Sequence, residues 1–508
     1  MDAAHRPPRM PALSSPRFVF ALVLLLGAVL FFSNLWIGDL GLDSAAYATI
    51  SRSMLRTGDW LVPHYEHCPE YADCWLQPPL FYWLTASSFR VFGVSEFAAR
   101  FPVALLGLGT ILLVYALGLR AGGSPRTAFF AAFVLLTTQP FLELGRKCQI
   151  DVPLAFFAAM SVLFFILGRG EKGRPVFDAL SGAAFGLALL TKGVPALALL
   201  VLFVLYAALT RDWKFFLPRR IGAFLLAAGL ILAVWIVPLA RAGKLDSFLH
   251  GYFVDQIWGN FSGAAGPAAA PSWGARLGGF LWYLGALAKR YWPWFPFLLV
   301  AAVFAVRDRK TRPRPLLFLL WVLIVIAGFS AGSTKFYRYL APAYPGAAAL
   351  IGVGLGVRVS EKVFRGFLAG TTVLLLILLV ATSLFPLHFG NINAPDKSDL
   401  KALAPQLRAW TTEEKPPATL GIGRWSAVAD FAFYVDRAVR SFDDPAAFAD
   451  YVRSEGSFGY LAEDTFKALA GDVRRDLVPV LRSGRFLLVA GRSGLEKLGL
   501  RIFPIVVH

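Results

Sequence analysis

The stretch NLWIGDLGLDSAAYATISRSMLRTGDW (34–60) sets an acid, Asp43, close behind an apolar run from Phe18 to Ile37, and Tyr47, Arg52 and Arg56 follow at the spacing of one helical face. Similar groups recur downstream: Arg146, Lys147 and Asp151 in LELGRKCQIDVPLAFF, Lys192 in LLTKGVPAL, and Lys335, Tyr337, Arg338 and Tyr339 in GSTKFYRYLAPAYP. Arginine and lysine hold phosphate oxygens, while a carboxylate can take a proton from a reacting hydroxyl. Two separated acids with several cations therefore suit chemistry on a lipid phosphate at a membrane surface. Each residue also has a plain alternative. Asp43 reads as a helix cap, Lys192 as a side chain snorkelling from a tight turn, and Arg338 as an anchor to lipid head groups. Chemistry gains weight from the recurrence, because charges near membrane depth are costly and here gather at the ends of apolar segments.

Those segments dominate the chain. Of 508 residues 57% are hydrophobic and 16% charged, and the mean hydropathy is +0.60. That is too apolar for a soluble globule of this length and predicts a polytopic all-α membrane protein. Apolar runs near 18–37, 98–118, 128–144, 152–168, 177–191, 194–210, 220–240, 282–306, 315–332, 340–357 and 364–386 give about eleven crossings. The net charge of +18 does not point to nucleic acid. About twenty Lys and Arg sit in the leader and in alternate loops, such as TRDWKFFLPRR and RDRKTRPRP, which the positive-inside rule assigns to the cytoplasm. An odd number of crossings then sends the C-terminus outside. The leader lacks a small-residue cleavage pattern, so the first helix reads as uncleaved.

Two outer loops are long, 38–100 and 241–282, and the second has an Ala/Gly/Pro stretch at 263–272 that predicts mobility. From about Gly390 charges become frequent. ATLGIG, RAVRSF, FGYLAE and RFLLVAG read as short strands, with helices at AVADFAFYV and PAAFADYVRSE, so 390–508 predicts a small α/β domain outside the membrane after a transmembrane domain over 1–389. GIGRWS lacks the third glycine and the downstream acid of a dinucleotide fingerprint. Cys68 and Cys74 could form a disulfide or remain free thiols; their spacing does not decide between the two.

The ordered set GLDSAAYATISRSMLRTGDWLVP, QPPLFYWLTASSFRVFGVSEFAARFPVALLG, GRKCQIDVPLAFF, GLALLTKGVPAL, YWPWFPFL and KFYRYLAPAYPGAAAL resembles the GT-C membrane glycosyltransferases of the protein O-mannosyltransferase and aminoarabinose transferase type, over roughly residues 15 to 390. The resemblance implies a transferase of the bacterial inner membrane. It would move a sugar, with inversion, from a polyprenyl-phosphate carrier to lipid A, another glycolipid, a glycan or a protein at the outer face. It makes Asp43 the candidate base and Asp151 its partner. Tyr47, Arg52, Gln77, Arg146, Lys192, Lys335, Tyr337 and Arg338 become candidates for holding substrate and carrier phosphate. Asp43 and Asp151 could also hold a divalent cation, since carboxylates suit hard cations. Two departures stand out. Ser44 follows Asp43 where the family often has a second acid, and QPPL replaces the family's KPPL, so Gln77 can donate hydrogen bonds but brings no charge. Glu70 and Asp73 could supply the second carboxylate or be solvated loop residues, and His250 carries no assigned role. The competing reading is a transporter or flippase, or a non-catalytic binder, of a lipid-linked sugar. A transporter predicts matching halves and polar residues at mid-membrane, which the sequence does not display.

Overall fold

A computed structural model describes residues 14–65, 75–169, 174–259, 273–385, 405, 408, 417–420, 432–436, 439–453, 458–483 and 486–492. Cys68, Glu70, Asp73, Cys74, the 263–272 stretch and GIGRWS lie outside the described residues. The helices in chain order are α1 (Pro16–Phe32), α2 (Leu42–Thr57), α3 (Leu80–Phe92), α4 (Glu96–Gly122), α5 (Pro125–Leu136), α6 (Gln139–Gly145), α7 (Asp151–Gly168), α8 (Pro175–Lys192), α9 (Ala198–Thr210), α10 (Pro218–Arg241) and α11 (Leu245–Leu249). A π-helical segment, His250–Trp258, precedes α12 (Trp273–Arg290), α13 (Trp294–Arg307), α14 (Arg314–Ser330), α15 (Tyr344–Arg358) and α16 (Glu361–Leu384). The chain divides into two compact units. The first is Met1–Leu35, Trp75–Phe81 and Phe101–Gly390; the second is Trp36–Cys74, Tyr82–Arg100 and Asn391–His508. Most of the expected outer loop 38–100 thus groups with the C-terminal residues.

The first unit is a helical bundle. By length and composition α4, α7, α10, α16 and the helical stretch Tyr337–Arg358 can each cross a membrane, and α1, Val194–Thr210, α13 and α14 are shorter apolar helices. Two expected continuous spans are divided. The run at 128–144 forms α5 and α6, bent by 69°, and the run at 282–306 forms α12 and α13. Pro140 opens α6 and Pro293 stands between α12 and α13. Neither proline has an N–H to extend the preceding helix. Small residues let helices approach closely, as membrane packing favours. A Cβ on Gly182 of α8 would stand 2.0 Å from the Phe224 carbonyl oxygen of α10, and one on Gly352 of α15 would stand 2.3 Å from the Ala131 backbone of α5.

In the second unit, α2 and α3 accompany a five-stranded sheet. Its strands are β1 (Ala418–Leu420), β2 (Arg440–Phe442), β3 (Phe458–Ala462), β4 (Leu477–Ser483) and β5 (Phe486–Gly491), in the order β2-β1-β3-β5-β4. β1 is parallel to β2 and β3, and β5 is antiparallel to β3 and β4. Phe448, Ala449 and Val452 of α17 (Pro445–Arg453) pack with Leu461, Leu487 and Val489 in its core. The sequence reading missed β4. It contains Pro479 beside a register shift, which an edge strand tolerates.

Candidate active site

In the first unit, Asp151 and Lys192 form an ion pair across 41 residues of chain, between the first residue of α7 and the last of α8. They are 2% and 7% exposed. The two helices pack side by side, and each charge has the sign its helix end prefers: an acid at the N-terminus, a cation at the C-terminus. The Lys192 ammonium also lies 4.8 Å from the centre of the Tyr339 ring. Behind it, Gly193 adopts φ 64°, ψ −122°, a conformation that favours glycine. The Tyr252 hydroxyl donates to the Lys192 carbonyl at 2.8 Å and accepts from the Val194 N–H at 3.2 Å. A Cβ on Gly193 would stand 2.1 Å from that hydroxyl oxygen. Tyr252 is held in turn by stacking on Phe248 at 5.4 Å, and Trp75 donates to Ser247 at 2.8 Å.

A second polar cluster of this unit lies around Glu143. Its carboxylate accepts from Tyr337 Oη at 3.0 Å and pairs with Lys147 at 2.6 Å, while the Arg290 guanidinium lies 3.9 Å from the centre of the Tyr337 ring. Lys335 donates to the Gly332 carbonyl at 2.8 Å, and Arg338 lies 4.4 Å over Phe336. Arg146 donates to the carbonyls of Leu30, Phe31 and Ser33 at the C-terminal end of α1, where helix carbonyls lack intrahelical donors. Gln77 is 9% exposed, and its side-chain oxygen has no hydrogen-bond partner among the described residues. Sequence reasoning did not single out Glu143, Arg290 or Tyr252. The Glu143–Lys147 pair had a visible signal, an acid four residues before a lysine. Tyr252 had none.

In the second unit, α2 carries Asp43, Tyr47, Arg52 and Arg56. Its N-cap is Gly41, which makes no side-chain cap bond, so Asp43 is a first-turn residue and not the cap. Asp43 is half-buried, and Tyr47 packs 6.0 Å from Tyr82. At the far end of the helix, Arg52 donates to the carbonyls of Phe433 at 2.7 Å and Ala432 at 3.0 Å and pairs with Asp436 at 3.2 Å; Arg56 reaches Asp436 at 3.3 Å. The turn before Asp43 is held as firmly. Arg100 donates to the carbonyls of Ile37, Gly38 and Asp39 at 2.6 to 2.8 Å. Beyond α2, Asp59 accepts from the N–H groups of Leu61 and Val62 and contacts His64 Nε2 at 2.8 Å. Burial alone would raise the Asp59 pKa, but the hydrogen bonds from His64, Val62 and Leu61 outweigh it and hold the carboxyl below its ordinary value.

Residues 76–240 match the family model for dolichyl-phosphate-mannose-protein mannosyltransferase. The chain is 28% identical over 324 residues to an undecaprenyl phosphate-alpha-4-amino-4-deoxy-L-arabinose arabinosyl transferase of Proteus mirabilis, covering 63% of this chain and 56% of the relative. It is 31% identical over 304 residues to a protein of the same name from Sodalis glossinidius, covering 59% and 52%. The chain thus spans little more than half the length of these relatives. Its fold matches the crystal structure of ArnT from Cupriavidus metallidurans bound to undecaprenyl phosphate, with a TM-score of 0.71 and 20% identity over 92% of this chain and 97% of that one. The oligosaccharyltransferase AglB from Archaeoglobus fulgidus matches with a TM-score of 0.53 and 13% identity, over 94% of this chain and 74% of that one. The chain has the GT-C membrane fold. Within that class the chain is similar to the arabinosyl transferases named above.

Proposed function

We propose that this protein transfers a sugar from a polyprenyl-phosphate carrier to a lipid, glycan or protein acceptor at the outer face of the bacterial inner membrane. The observation that carries the reading is the similarity over 324 residues to an undecaprenyl phosphate-alpha-4-amino-4-deoxy-L-arabinose arabinosyl transferase, beside a fold that matches ArnT bound to undecaprenyl phosphate. In this scheme the acceptor oxygen attacks the anomeric carbon as the bond from that carbon to the phosphate oxygen breaks. Configuration inverts, the acceptor's proton passes to the Asp43 carboxylate, and the polyprenyl phosphate leaves. Cations that neutralise the leaving phosphate lower the barrier because that charge grows in the transition state. Lys192 and Arg338 are the candidates for this role. The buried oxygen of Gln77, which has no hydrogen-bond partner among the described residues, suits an acceptor of a hydrogen bond from the donor's sugar or from an ordered water.

The scheme has about eleven crossings, counting α1, α4, α5 with α6, α7 to α10 and α13 to α16. It puts the N-terminus in the cytoplasm and the β1–β5 sheet outside. No step runs through a divalent cation. Asp151 already accepts the Lys192 ammonium, so a metal ion at this carboxylate would compete with the lysine. Mass spectrometry of envelope lipids and glycans, in cells with and without the protein, tests the reading. Loss of one sugar modification, restored by the native gene but not by Asp43→Asn at equal membrane abundance, supports it. Near-normal modification by the Asp43→Asn protein overturns the assignment of the base, and an unchanged envelope profile overturns the transferase reading.

A further inference from the structure

The candidate base sits on a helix whose frame is built partly by residues far away in sequence, after 430. The hydroxyl of Tyr434 accepts from the Leu40 N–H at 2.9 Å and faces the Glu96 carboxylate at 3.3 Å, to which it donates. Tyr434, Leu40 and Glu96 are 4%, 1% and 7% exposed. One hydroxyl thus bridges the turn before Asp43 and the first turn of α4. Next to it, Arg52 takes the carbonyls of Ala432 and Phe433 and the carboxylate of Asp436, so the helical turn over 432–435 meets α2 at both its ends. These bonds join three sequence-distant pieces of the second unit, and most are made to backbone atoms. Side-chain bonds to backbone carbonyls and amides fix where a chain segment lies, which a surface ion pair between flexible side chains does poorly.

We infer that Tyr434 is a positioning residue for the proposed base, and that the 432–436 turn serves the reaction by fixing the backbone from Leu40 to Asp43. The inference rests on the reading of Asp43 as the base. Burial, and then the charges of Asp39 and Glu96, push the Tyr434 phenol above its ordinary range, so it remains a donor across the working pH range.

The test is Tyr434→Phe in the full-length protein, which keeps the ring and removes the bridge. Three readouts are compared with the native protein: amide exchange at Leu40–Asp43, affinity for undecaprenyl phosphate in nanodiscs, and the sugar modification found by envelope mass spectrometry. The expected result is at least about tenfold faster exchange at Leu40 and about tenfold less product, the scale of one lost buried hydrogen bond, with carrier affinity within about twofold. Unchanged exchange and unchanged product overturn the inference, and so does an equal loss of carrier affinity and product, which marks a general structural role. If Asp43→Asn keeps full activity while Tyr434→Phe still speeds exchange, the base assignment fails and the clamp stands. Asp436→Asn, which preserves shape but weakens the pairing with Arg52 and Arg56, covers the case in which Tyr434→Phe does not fold. It should loosen the same amides to a smaller degree, and native-like exchange there counts against the clamp.

Discussion

Asp151 and Asp43 are both acids in the first turn of a helix, yet their surroundings treat them differently. Asp151 is 2% exposed and bound to Lys192, whose own position is secured by a Gly193 turn and the Tyr252 hydroxyl. Asp43 is half-buried on a helix whose arginines pair at the opposite end, while Arg100 and Tyr434 hold the backbone leading into it. A buried carboxylate must be neutralised to stay ionised, so its cation is part of its stability. An acid intended to receive a proton needs a fixed position and access instead. The Asp151 environment meets the first requirement, and the proposed role of Asp43 calls for the second.

Exchanging the chemistry of each acid breaks this comparison most directly. Asp43→Asn should abolish sugar transfer, by about a thousandfold or more, with thermal stability in detergent within a few degrees of native; this magnitude is that of removing an essential base and its charge. Substantial residual transfer would put the two acids in the same class. Lys192→Met should do the reverse first. It leaves Asp151 buried without its cation and should cost about 3–5 kcal/mol of stability, read by thermal or denaturant unfolding in nanodiscs. Combining it with Asp151→Asn should recover much of that loss. If Asp151→Asn alone keeps transfer and the stable double variant loses it, Lys192 also acts on the carrier phosphate.

Smaller effects sharpen the contrast. Tyr252→Phe removes the hydroxyl bonds to Lys192 and Val194 and should cost about 1–3 kcal/mol, seen as faster amide exchange at Val194. The least effect is expected at the loop beyond α2. Because the folded pKa of Asp59 is depressed, its ionised form stabilises the loop at pH above the ordinary carboxyl value, and that contribution is lost as pH falls through the folded value. Fluorescence of Trp60, whose carbonyl accepts from Trp83 Nε1 at 2.7 Å, should therefore change on acidification below about pH 4. Asp59→Asn should flatten that change.

Much of the fold was legible because the bilayer imposes one strong rule: a crossing needs about twenty apolar residues, and these stand out in a chain with 16% charged residues. The breaks at Pro140 and Pro293 were less legible, since an apolar run reads as continuous until the missing N–H is placed in a neighbouring context. Of the site, the sequence displayed the kinds of residues and their recurrence at helix ends. It did not display their pairings. Arg146 and Arg52 read as phosphate ligands by type, yet in the structure both guanidiniums hold backbone carbonyls, those of Leu30, Phe31 and Ser33 for one and of Ala432 and Phe433 for the other.

What the sequence determined by itself was the class of molecule: the apolar spans, the alternation of basic loops and the ordered motifs that mark a GT-C resemblance. The spans and basic loops follow from local composition and spacing, and the motifs resemble those of a known family as written; a linear chain displays both without folding. What only the tertiary structure decided was the use of each charge. Lys192 meets Asp151 because α7 and α8 pack side by side, and Tyr434 meets Leu40 across 394 residues of chain. Whether a carboxylate is neutralised, or a guanidinium already engaged, depends on atoms within a few ångströms, and the chain order does not say which atoms those will be.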